Sequence, residues 1–510
     1  MVGINFLWHM HQPDYRPAGS ERAILPWVRL HAVRGYLDML SCLRAHPQMR
    51  CTVNFSGILL DQLLLYSKQP RDYFAELSLR DAGSLSPAEA GFVVANFFSA
   101  NVDQLIRPHD RYRELYEKRE RMLAEQTWEQ RAAQFDAQEL TDLLVWFNLA
   151  WIGFTGRKRS DVQELMQSGR GFNLADQQQV IAIHDELVAQ VLPGYRAQVG
   201  TIELSFTPQH HPILPLLHDL AGVGTAVEGD ALPWFSHPQD AAQHVRRGMQ
   251  RFGDAFGKGP QGAWPAEGSV SNAALTTLAD AGVRWAATDQ QNHEQGELAH
   301  LTPRIWQSDG REVLMFFRDT RLSDSIGFEY ARWDPGDAVK DLIENITALG
   351  LQAQHEEPVV SIVLDGENPW ENYADGGEAF LHGLFAALER HEVLQTVTPS
   401  ELLGQSWPVL ESIRSGSWIG GNFDIWTKDA EARRAWCLLA QARRDLDDVA
   451  QSSVLDELLT AEASDWFWWY GGTFESDQKL QFDELFRGHL IAAYELARRE
   501  VPAEMREPIG

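Results

Sequence analysis

The sequence predicts a parallel β/α fold with helices on both faces of its strands, and three observations carry that reading. First, short apolar, β-rich runs recur with helical segments between them: INFLWHM (4–10), CTVNFSG (51–57), VGTIELSF (199–206), VRWAATD (283–289), VLMFFRD (313–319) and VVSIVLD (358–364). Alternation of this kind argues for parallel β/α units. Second, the runs are almost continuously hydrophobic, which suits strands covered on both faces, as in a barrel. Third, 510 residues accommodate one barrel of about 250 residues or more plus a further unit, without requiring three equal domains.

Taken in order, the first run ends in His9, His11, Gln12 and Pro13. A long helical insert, about 70–190, follows the second run; its stretch RYRELYEKRERMLAEQ (111–126) has helix-former composition and no Gly or Pro. The third run contains Glu203 and leads to His210 and His211. WPAEGSVS (264–271) sets Glu267 just after an apolar segment, with Ser269 expected to cap the helix that begins NAALTTLADAG. The next two runs end in Asp289 and in Arg318 and Asp319. VVSIVLDGENPW (359–370) ends abruptly in Asp365, with Gly366 permitting a tight departure and Glu367 next to it. After about residue 400 the pattern changes to helices only, as in 429–450 and 482–500. The expected division is 1–400, including the insert, and an α-helical unit over 401–510.

Composition narrows the function. With 44 Lys+Arg against 72 Asp+Glu the formal charge is −28, which repels phosphate backbones and anionic lipid and argues against a nucleic-acid or membrane partner. Three cysteines, Cys42, Cys51 and Cys437, make no disulfide framework. The longest apolar stretch, 143–154, is interrupted by Asn148 and falls short of the roughly 18 residues of a membrane span. Met1 leads into INFLWHMHQP without a signal-peptide pattern, so the chain reads as soluble and cytoplasmic. Oligomeric state is not encoded in any feature of a single chain.

In a parallel β/α fold, reactive groups gather at the carboxyl ends of the strands. A carboxyl there is either a cap or ion-pair partner, or an acid or base tuned by its surroundings. Glu267 and Asp365 each sit among Trp, Pro and Gly: Trp264 lies three residues before the first and Trp370 five after the second. Indole faces suit the apolar C–H faces of sugar rings, and paired carboxylates in an aromatic cleft are what glycosidic bond cleavage requires. Core packing accounts for many of the 18 Trp. Other chemistries find less support. His9 and His11 point the same way from a strand end, but no closely spaced Asp or third His completes a ligand set, so no metal is expected. No phosphate-binding loop, dinucleotide fingerprint or nucleophile elbow is present, and no cofactor is expected.

HMHQP (9–13), GTIELSFTPQHHPILPLL (200–217), WPAEGSVS (264–271), LDGENPWENY (364–373) and ASDWFWWYGG (463–472) with FDELFRGHL (482–490) resemble the five ordered motifs of glycoside hydrolase family 57. The wording is most similar to the amylopullulanase-type branch, as are 144–154, 316–330 and 416–426. The resemblance implies a retaining enzyme acting on α-glucans, on α-1,4 and also α-1,6 linkages, built on an incomplete seven-stranded (β/α) barrel whose cleft the helical unit completes. Carried over by motif, Glu267 is the nucleophile and Asp365 the general acid/base. His11 and Glu203 would bind the sugar at the bond-cleaving subsite or hold the carboxylates, with His9, Gln12 and His211 beside them. Trp418, Trp466, Trp468 and Trp469 would line subsites, with Trp264 and Trp370, and Asp289, Arg318 and Asp319 are further strand-end candidates. Segments 290–298 and 471–481 differ from the branch pattern and bear on specificity. The alternatives are a 4-α-glucanotransferase or branching-type transglycosylase on the same site, a metal-dependent deacetylase or mannosidase-like enzyme, and a non-catalytic carbohydrate-binding homologue.

Overall fold

The computed structural model describes all residues except 67, 69, 70, 226, 228, 229, 294–297, 354, 356, 473–477 and 510, so parts of both divergent segments lie outside the described residues. Among the described residues, ten strands run in chain order: β1 (Val2–Met10), β2 (Thr52–Ser56), β3 (Glu203–Thr207), β4 (Gly262–Ala263), β5 (Trp285–Asp289), β6 (Arg304–Ser308), β7 (Arg311–Arg318), β8 (Val359–Asp365), β9 (Leu394–Thr396) and β10 (Val409–Leu410). Seven of them, β8-β1-β2-β3-β4-β5-β7, pair in parallel in that order. The ring is closed by one pairing, Arg318 with Ser361, between β7 and β8. That thin seam makes the barrel an incomplete one.

All six apolar runs form strands. The seventh, β4, is two residues of Gly and Ala, too short for any periodic signal. β6 is antiparallel to β7, and β9 and β10 add to the sheet from 394–410. The region after residue 400 is therefore not helical at once. Its first α-helix is Asp424–Thr427, followed by Ala430–Asp445, Ser452–Ala461, Ser464–Trp469 and Lys479–Leu496. The expected cap also moves: Ser271, not Ser269, accepts from the Ala274 N–H at the start of helix Asn272–Asp280.

Strand alternation sorts β1 into two faces. Ile4, Phe6, Trp8 and Met10 join the large cluster under the helices. Leu7 joins Trp264, Trp285, Ala287, Leu314, Phe316 and Val363 in a smaller cluster inside the barrel. The same parity carries upward: His9, Asp289, Arg318 and Asp365 are the inward residues at the carboxyl ends of β1, β5, β7 and β8. The insert forms helices from Tyr73 to Ala197. It is tied to the chain after β1 by the buried Arg29–Asp72 ion pair and by the Arg29 bond to Asn148 Oδ1 at 2.8 Å. All three cysteines are free. Among the described residues, no helix is long and apolar enough to cross a membrane.

Candidate active site

Glu267 follows β4 in a tight turn whose backbone is left-handed at two successive residues, φ 56° at Glu267 and 59° at Gly268. Glycine adopts that region freely, and at Gly268 a Cβ would meet the Trp264 ring at 2.6 Å. Glu267 holds it at a cost, as side chains at functional sites often do. Trp418, on the far side of the chain, pins the turn twice. Its backbone N–H donates to Glu267 O at 2.9 Å and its indole N–H to Glu267 Oε2 at 2.6 Å. Burial, with Asp365 and Asp465 adding like charge, pushes the Glu267 carboxyl up to about 8 against the ionising pull of Trp418.

Asp365 ends β8 beside His9, its register partner on β1. Asn368 Nδ2 donates to Asp365 Oδ2 at 3.0 Å. Burial raises the Asp365 carboxyl, and Asn368, His11 and Arg318 oppose that rise. Glu367 next to it accepts from Gln12 Nε2 at 2.7 Å and is held well above the usual carboxylate range by burial. Gln12 in turn accepts from the Tyr15 hydroxyl at 2.8 Å.

Three histidines fill the space between the strands. His9 Nδ1 meets Asn54 Oδ1 at 2.7 Å, and an amide oxygen only accepts, so His9 donates there. Burial and the neighbouring His11 bring His9 down to about 3, which keeps it neutral. Its Nε2 then accepts from His211 Nε2 at 3.1 Å, and His211 Nδ1 accepts from the Ser464 hydroxyl at 2.8 Å. Hydrogen-bond inventory thus runs in one direction along the chain Ser464–His211–His9–Asn54. His11 lies flat on His211, ring centres 3.7 Å apart and planes at 8°. It bonds Ser56 Oγ at 2.8 Å and Asp465 Oδ1 at 2.9 Å.

Donor atoms of His11, His211 and Asp465 lie within 4.8 Å of one another, so distant segments bring together the third imidazole and the carboxylate that local spacing lacked. The arrangement nevertheless fits hydrogen bonding better than an ion. All four ring nitrogens of His11 and His211 have partners, and lone pairs lie in the ring planes, which here are parallel and do not converge on one point.

These groups open on a cavity of about 760 Å³ that also receives Trp27, Phe98, Tyr116, Trp151, Trp418, Trp468, Trp469 and Phe482. Of the residues expected from sequence, His9, His11, Gln12, His211, Glu267, Asp365, Trp418, Trp468 and Trp469 line it. The others stand elsewhere. Glu203 shares the inward face but begins β3, at the amino end of the barrel, where it accepts from Trp285 Nε1 at 2.7 Å and Ser400 N at 3.0 Å; it holds the barrel floor and does not line the cavity. Trp264, Trp370 and Trp466 are core residues. Trp264 fills the barrel under His9 and Trp418, Trp370 donates to Gly366 O at 2.9 Å, and Trp466 donates to Thr460 O at 2.7 Å. Asp289 is bound by Arg318 at 3.2 Å, and Arg318 faces the Trp418 ring from 5.2 Å, so both brace the wall from behind. Asp319 caps the helix Thr320–Asp324 and pairs with His300 at 3.1 Å.

Sequence reasoning missed Asp465, Ser464, Trp27 and the insert residues Phe98 and Tyr116. One signal was present: in helix Ser464–Trp469, residues 465, 468 and 469 are spaced i, i+3, i+4 and share a face, whereas Trp466 points the other way. The two tryptophans on the face of Asp465 are the two that line the cavity.

The sequence profile of Glycosyl hydrolase family 57 matches residues 5–410. The comparison with curated proteins gives no match. Among solved structures, the chain is similar to a branching enzyme from the hyperthermophilic archaeon Thermococcus kodakaraensis, at 14% identity, 97% of this chain, 90% of that one and TM-score 0.58. It is also similar to the alpha-amylase AmyC of Thermotoga maritima, at 14% identity, 99% of this chain, 96% of that one and TM-score 0.58. A 4-alpha-glucanotransferase from Thermococcus litoralis matches at 14% identity and TM-score 0.57, over 97% of this chain and 60% of that one. At these identities the likeness speaks for the fold.

Proposed function

The chain belongs to glycosyl hydrolase family 57, and on that footing we propose that it is a retaining enzyme acting on α-glucans. The observation that carries this reading is the convergence of Glu267 and Asp365 on one aromatic-walled cavity. An amylase and a glucanotransferase of the same fold support the substrate class. Residues 1–400 act as the catalytic unit, and 401–510 complete the cleft.

In the first step the ionised Glu267 carboxylate forms a bond to the anomeric carbon while Asp365 gives its proton to the departing glycosidic oxygen. In the second, Asp365 takes a proton from water or a sugar hydroxyl, whose oxygen displaces Glu267 and restores the carboxylate. The chemistry needs one carboxyl ionised and one protonated. The raised proton affinity of the buried pair keeps a proton in the site near neutrality, and that affinity belongs to the pair rather than to either residue alone. The indole N–H of Trp418 favours the ionised form at Glu267, and the developing positive charge on the sugar favours it further. A carboxyl separation of about 5–5.5 Å in the substrate complex goes with retention, and about 6.5–9.5 Å with inversion.

Transfer to a sugar acceptor is the second reading. Trp27, Phe98 and Tyr116 give the cavity an apolar far wall that can receive an acceptor ring in place of water. Incubation with maltooligosaccharides, glycogen and pullulan, following reducing ends and chain-length redistribution together, separates the two outcomes. Glu267→Gln is expected to lower kcat by about a thousandfold or more, as for loss of a group acting in the transition state. Unchanged turnover in that variant removes Glu267 as nucleophile.

A further inference from the structure

His31 lines the same cavity as His9, His11 and His211 but differs from them. Those three have both ring nitrogens engaged by polar side chains. His31 ends helix Trp27–His31 and is only 5% exposed, yet among the described residues no hydrogen-bond partner meets its ring. Aromatic rings box it instead, with centres at 6.4 Å for Trp27, 6.4 Å for Tyr36 and 5.6 Å for Trp151. Across from it stands Glu371, whose Oε1 lies 3.9 Å from His31 Nε2, beyond hydrogen-bond reach. The Glu371 carboxyl likewise has no hydrogen-bond partner among the described residues, and its side chain, 24% exposed, also lines the cavity. Burial, with Arg34 adding like charge, brings His31 down to about 3 and keeps it neutral; burial raises Glu371 to about 7, against the pull of Arg34. The contact is therefore no ion pair. Leaving a buried imidazole unpaired is costly, and an occupant of the cavity that pairs it relieves the cost.

Place and chemistry select the occupant. Glu371 ends the short helix Asn368–Glu371, which follows Asp365 directly, and Asp365, Glu367, Asn368 and Glu371 line the cavity in succession. Asp365 serves the oxygen that departs, so the wall continuing from it faces the ring to which that oxygen belongs. Neutral imidazole offers one donor and one acceptor, and the carboxyl accepts. The carboxylate repels an anion, and no third potential metal ligand converges on the pair among the described residues. Hydroxyls on neighbouring carbons, each able to donate and accept, fit such a set 3.9 Å apart. We propose that His31 and Glu371 bind the two neighbouring ring hydroxyls that an α-1,4-linked glucosyl unit leaves free, on the departing side of the cleaved bond, and so select the sugar that leaves or accepts. This deepens the α-glucan reading and rests on it.

Two substrates of the full-length enzyme test it: maltoheptaose, whose departing part is sugar, and 4-nitrophenyl α-maltoside, followed by nitrophenol release, whose departing ring carries no other hydroxyl. His31→Phe keeps a ring in the aromatic box and removes both nitrogens; Glu371→Leu removes the carboxyl. Each is expected to lower the ratio of kcat/KM on maltoheptaose to that on the aryl maltoside by tenfold or more, as for loss of hydrogen bonds to substrate hydroxyls. A packing defect alone slows both substrates together and leaves the ratio in place. A ratio unmoved in both variants, with the parent active on both substrates, overturns the inference and leaves the α-glucan reading standing. A parent that turns over neither substrate overturns the α-glucan reading and the inference with it.

Discussion

Glu267 carries opposed demands. Its turn puts the carboxyl into the cavity, and the burial that isolates it there favours the protonated form, whose proton affinity rises from 4.5 to about 8. The linkage to folding follows. The group's contribution to stability is fully present below about pH 4.5 and is lost as pH rises through about 8. Glu267→Gln removes that loss, so it should melt higher than the parent at pH 8–9 and show little gain near pH 4.5. Thermal melts across pH check this, and a gain independent of pH contradicts it. Trp418 acts in the other direction, since its indole N–H favours the carboxylate. Trp418→Phe keeps the ring and deletes the donor. The acid limb of kcat/KM is then expected to move up by about one pH unit, the equivalent of ~1.4 kcal/mol; a pH–rate profile with an unmoved limb would show that the bond does not tune Glu267.

At the scale of elements, the histidines of the cavity depend on a short segment from the far end of the chain. Glu462, just before Ser464 and Asp465, accepts from His244 Nε2 at 3.0 Å, both groups fully enclosed, and Arg443 meets Asp240 at 2.6 Å beside them. Burial raises Glu462 from 4.5 to about 7 and lowers His244 from 6.5 to about 3. Stability from Glu462 is therefore complete below about pH 4.5 and lost as pH rises through 7, while that from His244 is present above about 6.5 and lost as pH falls through 3. Glu462→Gln keeps an acceptor and should gain melting temperature over the parent as pH goes from 5 to 8. His244→Ala strands the carboxyl and should cost about 1–3 kcal/mol in urea unfolding. Little of this joint was legible in the sequence, because it pairs residues 218 positions apart. The strands were legible where short, mostly apolar, β-rich runs ended at polar groups; Asp365 stood out as a carboxyl closing such a run, and Glu267 as one set among Trp, Pro and Gly. β4, with no side chain beyond Ala, left no pattern. Trp264 and Trp370 looked like sugar platforms by proximity in sequence, but inward parity puts the first into the barrel core, and the second donates to its own turn. Glu203 failed for a related reason: parity turns it inward, but at the wrong end of its strand.

For the whole molecule, the hydrogen bonds that occupy the ring nitrogens of His9, His11 and His211 leave these histidines to orient and polarise their neighbours rather than to bind an ion. Prolonged dialysis against a chelator is expected to leave turnover unchanged, measured on the same maltooligosaccharides; loss restored by added metal would contradict the assignment of those imidazole nitrogens. The cavity draws on the barrel, the insert and the last helices, and this composite origin has a consequence in time. β8 closes the barrel at Asp365, yet Asp465, Trp468 and Trp469 come about a hundred residues later. At a synthesis rate of roughly 5–20 residues per second, the ribosome needs about 5–20 s to cover that interval. Glu267 and Asp365 have by then been translated, but Asp465 and Ser464, which bond His11 and His211, have not. The nascent chain is thus expected to stay inert until its final helices are made, a delay set by gene order rather than by any inhibitor.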